Sequence, residues 1–210
     1  MGLYGTLACL LGGFFSLLSL IGALWMDCWQ VNSKGSVVLS LRCRGLWGEC
    51  VWDKFVKIWT CDVFGSYLNP QPEAILVTRI AAIVSAIAAA AALLCLLCGC
   101  QYFQCLSAGI AKRHWLLSSV GFSLVAGLSS CVGVTRYGIY VFAQHQYEVS
   151  LRIPGFPSFE YGASLWLAVA GNLSAFFAAG ASYLETAAGT TSPEAGPGTS
   201  LPGKSAGTYV

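Results

Sequence analysis

Four stretches of this chain, residues 5–26, 80–99, 115–135 and 161–184, run for 20 to 24 residues without an Asp, Glu, Lys or Arg. A helix of about 20 apolar residues crosses the hydrocarbon core of a bilayer. Water-soluble helices carry a charged face, and these stretches have none to expose. The chain is therefore expected to be an α-helical membrane protein, a four-transmembrane-helix bundle. Its composition, 56% hydrophobic and only 10% charged, argues against disorder and against a soluble domain. A net charge of +2, scattered along the sequence, gives no footprint for nucleic acid. The first six residues carry no basic segment, so the first span is expected to double as the targeting signal.

Four spans put both termini on one side of the membrane. Cysteine placement chooses the side better than charge does. Cys28, Cys43, Cys50 and Cys61 all lie in the first connection, residues 27–78, an even number suited to an oxidising compartment. Cys95, Cys98, Cys100 and Cys105 cluster where the second span ends, and the connection that follows holds Lys112 and Arg113 without an acid. The termini and the middle connection are thus expected in the cytosol, with residues 27–78 and 142–160 outside. Cys98, Cys100 and Cys105 stand at the cytosolic boundary as S-palmitoylation candidates, or as inert thiols facing the membrane. No histidine lies among them, so no metal site is expected.

The first outer loop changes periodicity. Leu39, Leu41 and Cys43 alternate with Ser40, Arg42 and Arg44, and Trp59, Cys61 and Val63 alternate with Thr60 and Asp62. Period two predicts strands, one face packed and one wet. Residues 29–32 and 37–39, across Ser33-Lys34-Gly35-Ser36, read as a hairpin. A small extracellular antiparallel β-sheet standing on the helices is the expected result. Cys50 and Cys61 enclose ten residues and can staple two neighbouring strands, a closure worth on the order of 2–3 kcal/mol. Four cysteines still permit three pairings. Asp62 follows Cys61 directly, so its side chain points to the opposite face, as a cation-attracting carboxylate or a solvated charge.

Trp29, Gly45-Leu46-Trp47, Cys50 and Cys61, with Arg79 at the second span and Glu160-x-Gly162 before the fourth, resemble the claudin family of tight-junction tetraspan proteins. The likeness covers residues 1–185 as one tetraspan domain, leaving 186–210 as a tail rich in Gly, Ala, Ser, Thr and Pro that is expected to be disordered. It implies a Cys50–Cys61 disulfide. Asp27-Cys28-Trp29, the segment around Cys43-Arg44-Gly45 and Thr60-Cys61-Asp62 extend the resemblance to the paracellin branch. That branch implies paracellular handling of magnesium and calcium in kidney epithelium, and a second pair, Cys28 with Cys43. The sequence departs from the branch at Val63 and Gly65, where acidic residues would stand, and adds Lys54 and Lys57 between the stapled cysteines. Phe142, Tyr147, Phe156 and Phe159 remain as apolar groups for contact with a facing molecule, and residues 64–68 for lateral contact between copies.

The resemblance implies a plasma-membrane protein of the tight junction that meets itself or other claudins in cis and in trans. It would form a barrier or a cation-preferring paracellular channel whose pore charge comes from Asp62, Glu49 and Asp53. Thr208-Tyr209-Val210 fits strand addition to a PDZ scaffold domain. Beyond these and membrane lipid, no partner or cofactor is expected. The alternative is a tetraspan accessory subunit of an ion channel, or a trafficking and adhesion protein of the epithelial membrane protein type. An enzyme is not expected: the only histidines, His114 and His145, lie outside the spans, and no span holds a carboxylate that could relay protons.

Overall fold

A computed structural model describes residues 3–32, 40–53, 56–63, 72–99, 109–150 and 159–191. Helix α1 (Leu3–Trp25) leads into strands β1 (Gln30–Asn32), β2 (Ser40–Arg44), β3 (Gly48–Asp53) and β4 (Ile58–Val63). Helices α2 (Glu73–Gly99) and α3 (Gly109–Ser150) follow, then strand β5 (Phe159–Tyr161) and helix α4 (Ala163–Thr191). All four helices are long and apolar enough to cross a membrane.

Their packing inverts that of a soluble bundle. In α1 Thr6, Cys9, Gly12, Ser16, Ser19, Leu20 and Ala23 are buried, while Leu7, Leu11, Phe14, Leu18 and Ile21 face outward. In α2 Ala81, Ser85, Ala88, Ala89 and Ala92 are buried, while Ile80, Ile83, Val84 and Ile87 face outward. Lipid removes any hydrophobic drive between helices, so small residues that allow close backbone approach take the inside, and large apolar ones meet acyl chains. Hydroxyls then bond across the close contacts: Ser16 Oγ donates to the Gly171 carbonyl at 3.0 Å, and Thr78 Oγ1 to the Gly133 carbonyl at 3.2 Å. The alanine-rich second span thus packs through small residues.

Helix boundaries differ from the apolar runs. Helix α2 begins at Glu73, so Arg79 lies inside it. Helix α3 has 42 residues, about 63 Å against a hydrocarbon core of about 30 Å. It carries Arg136, and residues 142–150, assigned above to an outer loop, belong to its last turns. The apolar run stops at Thr135, but the helix continues through Arg136 to Ser150. Tyr137, Val141 and Gln144 recur at helical spacing and pack against the sheet side of the molecule. Residues 186–191, assigned to the tail, complete α4. At that end the Glu185 carboxylate lies where a Cβ on Gly5 would stand, over the first turn of α1, a favourable place for an anion. The hairpin strand expected at 37–39 lies outside the described residues, as do residues 64–68, 151–158 and 192–210.

The five strands form one antiparallel sheet in the order β4-β3-β2-β1-β5. The first outer loop supplies four strands, and the short connection before α4 adds the fifth against β1. A single core fixes the sheet to the bundle: Ala23 of α1, Trp29, Leu46, Ile75 of α2, Tyr137 and Val141 of α3, and Leu165 and Ala168 of α4.

Candidate functional site

The sheet and its root on the helices form the candidate site. Helix α1 ends at Trp25, leaving its last carbonyls without helical partners. The Gly22 carbonyl takes the Met26 N–H at 2.9 Å. The Ala23 carbonyl takes the Trp29 indole N–H at 2.8 Å, and the Leu24 carbonyl takes that of Trp47, also at 2.8 Å. Two tryptophans, one just before β1 and one between β2 and β3, therefore cap one helix with side chains. Trp29 is otherwise sealed in the core and meets the Tyr137 ring edge-on at 5.1 Å.

Gly45-Leu46-Trp47 is the turn between β2 and β3, pressed down onto the bundle. The turn closes through the Gly45 N–H to the Gly48 carbonyl at 2.8 Å. Gly45 passes so close to Asp27 that a Cβ would stand 2.6 Å from its Cα. Leu46 is fully buried, and its carbonyl accepts from Arg79 Nε. The Arg79 guanidinium also lies over the Trp47 ring, 5.2 Å from the centroid. The first turns of α2 are thereby tied to the same turn that caps α1. On the other side, Gly162 comes within 2.0 Å, measured from an ideal Cβ, of the Cys28 carbonyl oxygen, and its N–H donates to Trp29. Ser164 Oγ donates to the Met26 carbonyl and accepts from the Cys28 N–H. Gln30, buried in β1, donates through Nε2 to Gln144 of α3 at 3.3 Å.

Registry divides the sheet into two faces. One cross-strand row runs Glu160, Val31, Cys43, Cys50, Cys61, and the next runs Tyr161, Gln30, Arg44, Glu49, Asp62. Side chains of successive rows point to opposite faces. The structure joins Cys50 to Cys61 and Cys28 to Cys43. On the cystine face Trp52 and Trp59 lie directly opposite each other with centroids 5.3 Å apart. On the other face Glu49 is held by Arg44 at 3.0 Å and faces Arg42 at 4.0 Å, with only 18% of its side chain exposed. Of the carboxylates taken as pore-lining, Glu49 is thus already matched by guanidinium. Asp62 stands opposite it on the outer strand, and Asp53 is exposed where β3 ends, its carbonyl accepting the Lys57 N–H at 2.9 Å. Among the strand residues whose side chains are described, that face carries two arginines, Arg42 and Arg44, and two carboxylates, Glu49 and Asp53.

Phe142 and Tyr147 are exposed on the projecting part of α3. Cys98 is half-buried in the last turn of α2. Lys54, Cys100, Cys105, Phe156, Thr208, Tyr209 and Val210 lie outside the described residues. Ser164, Tyr137 and the Gln30–Gln144 pair were not singled out from sequence. Tyr137 had a signal, since Tyr137 and Val141 extend the buried stripe of α3 past its charged residue Arg136. The Arg44–Glu49 pair had none without the register.

The PMP-22/EMP/MP20/Claudin family profile matches residues 2–182. Claudin-16 of Homo sapiens is 36% identical over 167 residues, 79% of this chain and 71% of that protein. Claudin-16 of Mus musculus is 35% identical over 172 residues, 81% and 73% of the two chains, and that of Bos taurus 35% over 167, 79% and 65%. With the match spanning all four helices and the sheet between them, this chain belongs to the PMP-22/EMP/MP20/Claudin family.

Proposed function

We propose that the protein is a tight-junction adhesion protein that forms a cation-preferring paracellular barrier or channel. The sheet stands outside the cell with both termini in the cytosol. The sheet associates with copies of itself or other claudins beside it and across the intercellular gap, and its side chains line the passages left between them. The work is physical, not chemical: a fixed charge beside a narrow aqueous path concentrates counter-ions and repels co-ions. Even in water, a unit charge within about 4 Å of the path is worth about 1 kcal/mol, a several-fold preference.

The observation that carries this reading is the register that sets Asp62 opposite Glu49 on a sheet rooted in all four helices. With Glu49 neutralised by Arg44, Asp62 is the carboxylate that would set the sign, and Arg42 and Lys57 oppose it. The likeness to Claudin-16 supports carriage of magnesium and calcium among the permeant cations. In the cytosol Thr208-Tyr209-Val210 adds a strand to PDZ scaffold domains, and Cys98, Cys100 and Cys105 take palmitate.

Expression in a leaky epithelial monolayer tests the reading. The sodium-to-chloride dilution potential should shift toward cations, and Asp62→Asn should lower the permeability ratio by roughly two- to fivefold. An unchanged potential in that variant removes Asp62 from the path. Bi-ionic potentials with magnesium chloride test the divalent part. The family also contains epithelial membrane proteins; affinity purification that recovers a channel complex instead of junction scaffolds would replace the junction reading with the accessory-subunit one.

A further inference from the structure

Four cysteines stand in a line across the sheet. The strand order β4-β3-β2-β1 sets Cys61, Cys50 and Cys43 directly opposite one another on successive strands, and Cys28 lies beyond them where the chain enters β1. Residues directly opposed across an antiparallel ladder point to one face. Two disulfides divide the line, Cys61 with Cys50 and Cys43 with Cys28. Access differs along it: Cys61 is exposed, Cys50 and Cys43 are only 8% and 5% exposed, and Cys28 is half-buried. A thiol from solvent therefore meets Cys61 before it meets either inner sulfur.

We propose that Cys61 is an S-thiolation site for low-molecular-weight thiols of the glutathione class, and that its modification passes a disulfide inward along this line. The small thiolate attacks Cys61 Sγ. A mixed disulfide forms there, the Cys50–Cys61 bond breaks, and its electron pair leaves on Cys50 Sγ. Cys50 stands opposite Cys43, and Cys28 joins Cys43 from the β1 side, away from the attacker. Attack by Cys50 on Cys43 then forms a Cys43–Cys50 disulfide and breaks the Cys28–Cys43 bond. Cys28 leaves as thiolate and takes the proton that the incoming thiol gave up. Two protein disulfides and one thiol become one protein disulfide, one mixed disulfide and one thiol, so no oxidant or reductant is consumed.

The Cys50 thiolate has a directly opposed disulfide on either side, the mixed one on β4 and the native one on β2. Attack outward expels the small thiol and restores the starting state. Attack inward staples β2 to β3 and leaves β4 with its ladder, the Trp52–Trp59 contact and the Thr60 Oγ1 bond to the Val51 carbonyl. The edge strand that bears Asp62 thus loses its covalent tie while the two strands nearer the root gain one. The exposure of that edge to extracellular thiols rests on the orientation proposed above. The exchange among the four sulfurs does not depend on it.

The test uses the purified full chain in nanodiscs, treated with reduced glutathione at about pH 8, where a good share of the small thiol is ionised. Acid quenching and alkylation precede non-reduced peptide mapping. Glutathione should be found on Cys61 over Cys28 by roughly fivefold or more, because access governs the attack. A Cys43–Cys50 linkage and a free Cys28 thiol should appear with the adduct. Cys61→Ser, at the exposed edge, leaves Cys50 without its partner and should show the same linkage and the same Cys28 thiol with no glutathione added. An absence of adduct at Cys61, glutathione on Cys28 with Cys50–Cys61 intact, or a Cys61 adduct with Cys28–Cys43 intact overturns the proposal. So does Cys61→Ser with Cys50 as its free thiol. Accessibility labelling that finds the sheet in the cytosol would overturn the junction reading and leave the exchange result standing.

Discussion

The two ends of the sheet are held in different ways. At the root, β1 and the β2–β3 turn are tied to all four helices: Trp29 and Trp47 cap α1, Arg79 binds the Leu46 carbonyl, Gln30 reaches α3, and Gly162 and Ser164 lock β1 to α4. At the outer edge, among the described residues, β4 is held by the β3 ladder, the Cys50–Cys61 disulfide, the Trp52–Trp59 contact and the Thr60 Oγ1 bond to the Val51 carbonyl. Its residues from Ile58 to Cys61 are exposed. Apart from the Cys50–Cys61 pair, the motif residues that mark the family thus belong to the root and act as structure. The charges that could differ in sign between members without harming the fold lie toward the edge.

The sharpest way to break this division is a methyl group at the root. Gly162→Ala would place a Cβ 2.0 Å from the Cys28 carbonyl oxygen, against backbone on both sides of the contact. Backbone cannot turn aside as a flexible side chain does, so we expect loss of folded protein at the cell surface, measured by surface biotinylation. Normal surface levels would show that β1 and α4 can separate. Next in size is Trp29→Ala, with an expected cost of about 3–5 kcal/mol from the emptied core and an uncapped Ala23 carbonyl. Trp59→Ala, at the edge, should cost under about 1 kcal/mol. Thermal unfolding in detergent compares the two. Similar losses would mean the edge is as much a part of the core as the root.

The disulfides sharpen the comparison further. Removing Cys50 and Cys61 together should lower stability by about 2–3 kcal/mol, through an eleven-residue separation that closes a short loop. Cys43, Cys50 and Cys61 occupy one cross-strand row. Cys28→Ser therefore leaves a Cys43 thiol directly opposite Cys50, and non-reduced peptide mapping should then find a Cys43–Cys50 linkage in part of the protein. Finding Cys43 as free thiol alone would show that the edge disulfide holds its partner against exchange.

How much of this was legible in the sequence follows from how each element is stabilised. The four spans could be read because lipid forbids charge over a fixed length. Strands β2 and β4 could be read because each is long enough for alternation to show. Strand β5 has three residues and no period, and β3 begins at Gly48 within the segment read as a tryptophan-cysteine motif, so neither announced itself. The length of α3 was hidden by Arg136: a charge ends an apolar run, yet it does not end a helix once the helix is in water. The motif was recognised, but its mechanics were not. That two indoles would seek the last carbonyls of α1 depends on a helix end and a turn meeting in space, and no spacing rule carries that. Likewise the pairing of Glu49 with Arg44 could be read only once the register set the two side by side.

That last point yields the smallest expected effect and the finest test of where root ends and edge begins. Asp62→Asn removes a charge from the outer strand, and its fold should hold within about 0.5 kcal/mol while selectivity falls. Glu49→Gln acts from the next strand inward. It takes the carboxylate from Arg44 and from the more exposed Arg42, so the same face turns from acidic toward basic. A half-buried pair of this kind is worth about 1 kcal/mol, and unfolding should register that loss. Each variant removes one negative charge from that face, so the dilution potential should fall about as far as in Asp62→Asn if the path reaches β3. If Glu49→Gln lowers stability and leaves the dilution potential unchanged, the ion path touches β4 alone and Glu49 belongs to the root. If it shifts the potential with no loss of stability, the arginines have other anchors and the boundary lies further in, at β2.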